Sequence, residues 1–397
     1  MSVVKLVTVN FRNLISDNID LHNDLNFIVG NNGSGKSSIL EALFYLGHGK
    51  SFRTNKVDSL ACYNKNKFVV SIKNDSNCQL GLSREIESGQ SRIKINGVFH
   101  KRLSDLAKHI AIQIVTPESF KLFFGGPRER RRFLDLGMFH VKHSFANQWK
   151  DFNRILKHRN ACIKKSYFGD NNDMFLYWSE QFCKMSIEVS NIRKDYCLKL
   201  ITELDVWLNL LLPDLNKRVS VQYHQGWPNS KKLMEVLFNN KDRELKYGYS
   251  LYGAHKFDIK FLLDGQPLEN TLSRGQQKLF LLALTFAQSK MIASVNRVKP
   301  ILLIDDIGAE LDENSRQVLS LALEKLNCQV IITAIDIGVL KPFYNRFKNE
   351  DETVNAIQDL NSKTKNVGNY KVFHVEHGKI TTMYSEESEL KKETAIE

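Results

Sequence analysis

The sequence predicts an α/β protein whose sheet domain is interrupted by an inserted helical lobe. Three observations carry this. A strand, a glycine-rich turn and a helix follow one another between Asn26 and Leu46, residues 128–211 hold almost no glycine or proline, and strands return from Asp258 onward. With 397 residues, 42% hydrophobic and 25% charged, the chain has the composition of a globular protein of two or three domains, which excludes disordered and fibrous classes.

Val7, Val9 and Phe11 alternate with Thr8 and Asn10, so a half-buried strand is expected there with those three pointing inward. Asn26 to Val29 reads as a second strand and Ser37 to Leu46 as a helix. Short β-rich runs recur from Phe68 to Phe99, where Asn96-Gly97 supplies the two positive φ angles of a tight hairpin. Residues 1–115 are thus expected to form the first half of the sheet domain.

Beyond Pro117 the pattern changes. Trp178, Phe182, Met185, Val189, Ile192, Tyr196, Leu200, Leu204, Trp207 and Leu211 recur at steps of three or four, predicting one helix from about Asp173 that is roughly 58 Å long at about 1.5 Å per residue. This stripe fits the core of a helical lobe over 116–250; a dimerising coiled coil is the alternative. Pro213 ends the run, which leaves no room for a long rod. The second half of the sheet domain is expected over 251–380. Residues 381–397, with five glutamates against two lysines, read as an acidic polar tail.

The longest clean apolar run, Leu279 to Ala287, is half of what a bilayer requires, so no membrane span or export signal is expected. The six cysteines lack metal-site or disulfide spacing, which suits a reducing cytoplasm. Lysine and arginine outnumber acids 56 to 44, a net charge of +12 that favours phosphate-bearing partners.

Gly30-Asn31-Asn32-Gly33-Ser34-Gly35-Lys36-Ser37 satisfies GxxxxGK[ST] between a predicted strand and a predicted helix, with Ser38 next in line. Glycines let backbone N–H groups curl around the phosphates of ATP, Lys36 neutralises charge, and the Ser37 hydroxyl can ligate Mg2+. Downstream, Ile301-Leu302-Leu303-Ile304-Asp305-Asp306 is an apolar run ending in two carboxylates, the Walker B pattern. Asp305 would hold Mg2+ and Asp306 would orient or deprotonate the attacking water.

About 30 residues before Asp305, Leu272-Ser273-Arg274-Gly275-Gln276-Gln277-Lys278 opens a helix with an apolar face through Leu279, Leu282, Ala283 and Phe286. It resembles the LSGGQ signature of ABC-type ATPases, and Ala309-Glu310-Leu311-Asp312 resembles their D-loop. The resemblance implies an ABC-type P-loop ATPase head in which Ser273, Gly275 and Gln276 approach the γ-phosphate held by a second subunit, so that ATP cements a homodimer.

The chain further resembles the RecF family of bacterial DNA replication and repair proteins. The resemblance runs through Phe11-Arg12-Asn13, Gly49-Lys50-Ser51-Phe52-Arg53-Thr54, Thr116-Pro117-Glu118 and Gly125-Gly126-Pro127-Arg128-Glu129-Arg130-Arg131-Arg132-Phe133-Leu134-Asp135, to the signature and the paired acids. It implies a cytoplasmic, ATP-dependent homodimer that binds single-stranded and gapped duplex DNA and works with RecO and RecR to load RecA, with slow ATP hydrolysis timing release. It also implies that Arg12 and Asn13 lie near the nucleotide and that Gln113 contacts Mg2+ or the attacking water. Two departures from the wider ABC-type superfamily stand out. Asp306 replaces the usual Glu and is one methylene shorter, and no His follows Val330-Ile331-Ile332-Thr333-Ala334, where Thr333 would substitute.

Between Lys121 and Lys165 there are 12 Lys or Arg against three acids. Arg128, Arg130, Arg131, Arg132, Arg154, Lys157 and Arg159 are the candidate DNA contacts, expected to bind phosphates with little base selectivity. The competing reading is an SMC-like ATPase whose insert carries its own chemistry, such as a nuclease; a transporter ATPase fits the long insert poorly.

Overall fold

The computed structural model describes residues 2–166, 172–295, 298–308, 311–343 and 370–384. It divides into two compact units, one formed by Met1–Ser119 with Lys278–Glu397 and the other by Phe120–Gln277.

The first unit holds two six-stranded sheets. One is antiparallel and built from β1 (Val3–Val9), β2 (Asp17–Asp20), β4 (Lys67–Asn74), β5 (Gln79–Glu85), β6 (Ser91–Ile95) and β7 (Val98–His100), in the order β2-β1-β4-β5-β6-β7. The other runs β15-β14-β3-β13-β12-β8, from β3 (Leu25–Val29), β8 (Ile112–Val115), β12 (Ile301–Ile304), β13 (Gln329–Ala334), β14 (Tyr370–Glu376) and β15 (Lys379–Tyr384). All of its pairings are parallel except β14 with β15. Every residue of β3, β12 and β13 is buried, which is why β12 reads as an unbroken apolar run, and the polar Asn26, Gln329 and Thr333 of the other two strands are buried with it.

Helix α1 (Lys36–His48) joins the sheets into one core. Leu40, Leu43, Tyr45 and Leu46 share a cluster with Leu6, Phe68, Val70 and Ile72 of the antiparallel sheet and with Ile28, Leu303 and Ile331 of the parallel one. Two positive φ angles, 49° at Asn96 and 82° at Gly97, make the expected hairpin between β6 and β7. A short helix, α2 (Leu103–Ala107), precedes β8.

The strand at Val7–Phe11 departs from its expected alternation. Thr8 is fully buried and Val9 is 37% exposed, whereas Phe11 is buried. A bulge between Val3 and Lys5 shifts the phase of β1, and Asn10 at φ 53° turns Phe11 back inward.

The second unit contains α3 (Lys121–Phe124), α4 (Pro127–Val141), α5 (His143–Ser166), α6 (Asn172–Leu211), α7 (Leu233–Asn239) and α8 (Lys241–Tyr247). The α6 stripe is buried as expected except at Trp178 and Met185, which are half-buried. The unit also holds a small antiparallel sheet of β9 (Val219–His224), β10 (Asp258–Leu263) and β11 (Gln266–Pro267). Residues 251–277 therefore fold with the insert, because β10 pairs with β9 rather than with the parallel sheet. Helix α9 (Arg274–Ser294) begins there and continues into the first unit, where Leu279 through Ser289 are buried on all sides rather than along one face. Helix α10 (Glu313–Lys325) follows β12. The boundary expected at residue 380 falls inside β15, and 385–397 lie outside the described residues.

Burial lowers the imidazoles of His140 and His255 to about 4. Both are neutral in the folded insert, so their contribution is fully present above the ordinary value of 6.5 and is lost as pH falls from there toward 4. Unfolding monitored between pH 7 and 4 is expected to lose up to about 1.4 kcal/mol per pH unit for each histidine. His255→Asn should shallow that slope.

Candidate nucleotide-binding site

The glycine-rich loop leaves the C-terminal end of β3, where open parallel sheets place their ligands. Gly30 is required twice over: its φ is 153°, and a Cβ would lie 2.3 Å from the Val375 carbonyl oxygen of β14. Gly35, at φ 121°, feeds the loop directly into α1, whose first turn carries no acid to neutralise its positive end.

The loop is pinned from outside at two further points. Asn13 donates from Nδ2 to the Gly33 carbonyl at 3.2 Å and accepts from Ser38 Oγ at 2.8 Å. Gly378 N–H, in the β14–β15 turn, donates to the Ser34 carbonyl at 2.8 Å. Lys36 is buried and donates to the carbonyls of Gly30 and Asn31 at 2.6 and 2.9 Å. Burial pushes its ammonium down, opposed by Asp306 and Asp305.

Asp305 directly follows β12, and its N–H donates to the Val115 carbonyl of β8 at 2.8 Å. Its Oδ1 accepts from Ser37 Oγ at 3.0 Å and from Thr333 Oγ1 at 2.7 Å. Burial raises this carboxyl above its usual range; the Thr333 and Ser37 hydrogen bonds oppose the rise, while the negative charges of Asp306 and Glu118 add to it. Asp306 sits at φ 52°, its N–H donating to Thr333 Oγ1 at 2.8 Å and its carbonyl accepting from Lys278 Nζ at 2.8 Å. One threonine hydroxyl therefore links both acids.

These groups suit a nucleotide and its metal. The hydroxyl of Ser37 and the carboxylate of Asp305 are hard oxygen donors brought together, the type that Mg2+ takes. Ser34 Oγ is buried in the loop without a hydrogen-bond partner. Asn32 and Gly33 complete the turn, Gly33 at φ 79°.

Other expected residues are placed differently. Arg12 chelates both oxygens of Glu41 on α1 at 2.8 Å and donates to the Ser59 carbonyl at 3.0 Å, so its guanidinium holds α1 while Asn13 alone meets the loop. Gln113 pairs in register with Leu302, three residues short of Asp305; it is buried and its Nε2 has no partner. It is not brought to the Ser37–Asp305 pair. In the second unit, Ser273 and Gln276 cap α9 reciprocally: Ser273 N–H donates to Gln276 Oε1 at 3.0 Å and Gln276 N–H to Ser273 Oγ at 3.3 Å. Gly275 lies in that first turn. Ala309 and Glu310 of the D-loop pattern lie outside the described residues, and Asp312 caps α10 by accepting from Ser315 N–H at 2.7 Å.

Sequence reasoning missed Glu41, Val375, Gly378 and Lys278. Only Lys278 carried a signal, as a lysine opening an apolar helix.

Within the insert, the basic cluster separates into two populations. Arg128, Arg132, Arg154 and Lys157 are exposed on α4 and α5, with Arg132 and Arg154 paired to Glu129 and Asp151 one turn away. Arg130 is instead chelated by Asp258 at 2.9 and 2.8 Å, and Arg131 donates to the Phe257 carbonyl at 3.0 Å. Arg159 is fully buried, donating to Glu244 at 2.6 Å and to Ser179 at 3.1 Å. Arg130 and Arg159 are removed from the set of DNA contacts, because their charges are spent inside the fold.

Residues 2–349 match the family model described as RecF/RecN/SMC N terminal domain. The chain is 61% identical over 380 residues to the DNA replication and repair protein RecF of Colwellia psychrerythraea, covering 96% of this chain and 97% of that protein. The chain belongs to the RecF family. The RecF of Haemophilus influenzae is 36% identical, over 86% of this chain and 94% of its own. Among solved structures, the recombination mediator protein RecF with ATP, of the RecFOR pathway, superposes with a TM-score of 0.77 at 23% identity, covering 96% of this chain and 97% of that one. An SMC head bound to the C-winged helix domain of ScpA gives 0.56 at 16%, covering 98% and 100%. The fold is thus that of the family's ATPase heads, with the expected helical insert. No helix among the described residues is long and apolar enough to cross a membrane.

Two variants test the two buried charges. Asp305→Asn should melt at a higher temperature than the parent at pH 7. Because the Asp305 pKa is raised in the fold, its contribution is present in acid and lost as pH rises through the folded value, so the stability gap should vanish at low pH. Arg159→Met should destabilise the protein by about 3–5 kcal/mol in denaturant titration, since it strands Glu244.

Proposed function

We propose that this chain is an ATP-switched DNA clamp of replication and recombinational repair. The observation that carries the reading is the shared Oδ1 of Asp305, which gathers Ser37 at the end of the glycine-rich loop and Thr333 at the end of β13 around one carboxylate. Lys36, the loop glycines, Asn31, Ser34 and the N-terminus of α1 bind the phosphates of ATP. Ser37 and Asp305 would hold Mg2+, which would neutralise phosphate charge.

Asp306 orients the attacking water. Its carboxylate is one methylene shorter than the Glu usual in ABC-type ATPases, and the Thr333 hydroxyl donates to Asp305, which supports slow hydrolysis that times release. Ser273, Gly275 and Gln276 of one subunit approach the nucleotide of a second, so ATP closes a homodimer. The ATP complex of the RecF mediator protein supports nucleotide use here. Single-stranded and gapped duplex DNA is the cargo, RecO and RecR are the partners, RecA loading is the outcome, and the cytoplasm is the location. Exposed Arg128, Arg132, Arg154 and Lys157, with Arg131 beside them, supply phosphate contacts on the insert.

Sedimentation with ATP and gapped DNA should show ATP-dependent dimers on intact DNA. Lys36→Ala should abolish dimerisation and weaken ATP binding by about 100-fold or more, roughly 3 kcal/mol. Cut DNA would favour the nuclease alternative, and a monomer under all conditions would refute the clamp. Charge reversal at Arg128, Arg132, Arg154 and Lys157 should lower DNA affinity and flatten its salt dependence while ATP affinity holds.

A further inference from the structure

The outer face of the antiparallel sheet forms a groove of about 810 Å³ whose lining includes Lys5, Lys67, Lys73, Arg92 and Lys94 and no acidic residue. Strand register accounts for the concentration of charge. Side chains two apart share a face, so Lys5 on β1, Lys67 and Lys73 on β4, and Arg92 and Lys94 on β6 all project outward while Leu6, Ile72, Ile93 and Ile95 fill the core.

Two features of this face work against stability. Lys5 and Lys73 are direct cross-strand partners, a like-charge pairing that antiparallel sheets avoid. Gly81 sits mid-strand between Ser71 and Lys94, with φ outside the left-handed region and its nearest atoms at 3.7 and 4.0 Å from a notional Cβ. Neither the backbone nor crowding requires glycine there, and a strand glycine weakens the sheet. What it does is keep the floor of the groove low, flanked by Ser71 and Ser83. The neighbouring acids do not cancel the charge: Asp20 faces Lys5 and Glu85 faces Lys67 across the register, but neither lines the groove, and Lys5, Lys73 and Arg92 form no ion pair among the described residues.

The face also ends in an aromatic. Phe99 on β7 is 62% exposed and carries Lys94 Nζ 4.6 Å from its ring centre. Small-molecule sites are mostly apolar and enclosed; a basic sheet face with serine hydroxyls, a low floor and one exposed ring suits an extended polyanion with planar bases. We infer that this groove is a second nucleic-acid contact, in which Lys5, Lys73, Arg92 and Lys94 hold the phosphates of one strand and Phe99 offers a stacking face. It rests on the DNA-clamp reading and locates a contact on the ATPase unit itself, apart from the insert.

The test compares the full chain, a Lys5→Gln/Lys73→Gln/Arg92→Gln/Lys94→Gln variant and Gly81→Glu. Gapped-DNA binding is measured from about 0.05 to 0.2 M salt, with ATP affinity and melting temperature alongside. The quadruple variant is expected to bind DNA at least 10-fold more weakly, with a salt slope smaller by about three to four. Its ATP affinity should be unchanged and its melting temperature equal or higher, since the Lys5–Lys73 repulsion is gone. Gly81→Glu should weaken DNA binding similarly by placing a carboxylate on the floor. Equal affinity and slope in all three proteins would overturn this inference alone, and a poly-glutamate peptide outcompeting DNA for the groove would replace it with an acidic protein partner. A parent chain that binds no DNA would instead overturn the clamp reading.

Discussion

One buried carboxylate oxygen organises the ATPase unit. Asp305 Oδ1 takes hydrogen bonds from Ser37, which ends the glycine-rich loop, and from Thr333, which lies on β13. The first turn of α1 and the ends of β12 and β13 are thereby tied to one acceptor. A hydrogen bond to a charged group contributes about 1.5–3 kcal/mol, whereas burying an ion costs several. Two hydroxyls come close to offsetting the desolvation of Asp305 without exceeding it, which agrees with a carboxyl raised above its usual range. A site balanced in this way gains more from an added cation than a fully satisfied one, so the same imbalance that makes Asp305 unfavourable in the protein alone would favour a cation beside it.

The insert obeys the same rule with the sign reversed. Arg193 is buried on α6, donating to the Ala254 carbonyl at 2.6 Å and to Asp135 of α4 at 3.0 Å, with its guanidinium 3.7 Å from the Phe257 ring centre and 4.6 Å from Trp149. Arg159 likewise ties α5 to Glu244 of α8. The apolar stripe of α6 supplies burial energy but would tolerate sliding by a turn. Two buried guanidinium groups, each with fixed partners, do not, and they set the register of the helices.

Much of the ATPase half was legible because its information is local. Gly30 to Ser37 and Ile301 to Asp306 carry their chemistry within eight residues, and the flanking apolar runs specify buried parallel strands. What escaped depends on distant partners. Nothing in the sequence around Arg159 separates it from Arg154 five residues earlier, because the difference is Glu244, 85 residues away in the chain. The phase of β1 turned on a bulge and on Asn10 at φ 53°, neither of which alternation encodes. Residues 251–277 looked like a return to the parallel sheet because strand texture is the same whether the partner is β9 or β12. The resemblance placed Arg12 and Asn13 together near the nucleotide, and nothing local in the sequence signals that Arg12, at φ 53°, also pairs with Glu41, 29 residues further on.

Asp306 shows how such a site keeps a residue where propensity opposes it. A left-handed backbone conformation at a non-glycine residue costs about 1–2 kcal/mol. Asp306 holds it at φ 52° because its N–H is bound by Thr333 and its carbonyl by Lys278, at 2.8 Å each. These two bonds fix the backbone on both sides. The Thr333 hydroxyl that accepts from the Asp306 N–H is the one that donates to Asp305, so the backbone of one acid and the carboxylate of the other are joined through a single oxygen. Substituting Thr333 would therefore disturb the backbone of Asp306 and the carboxylate of Asp305 at once, so β13 adds a hydrogen-bonded link to the direct repulsion between the two neighbouring acids.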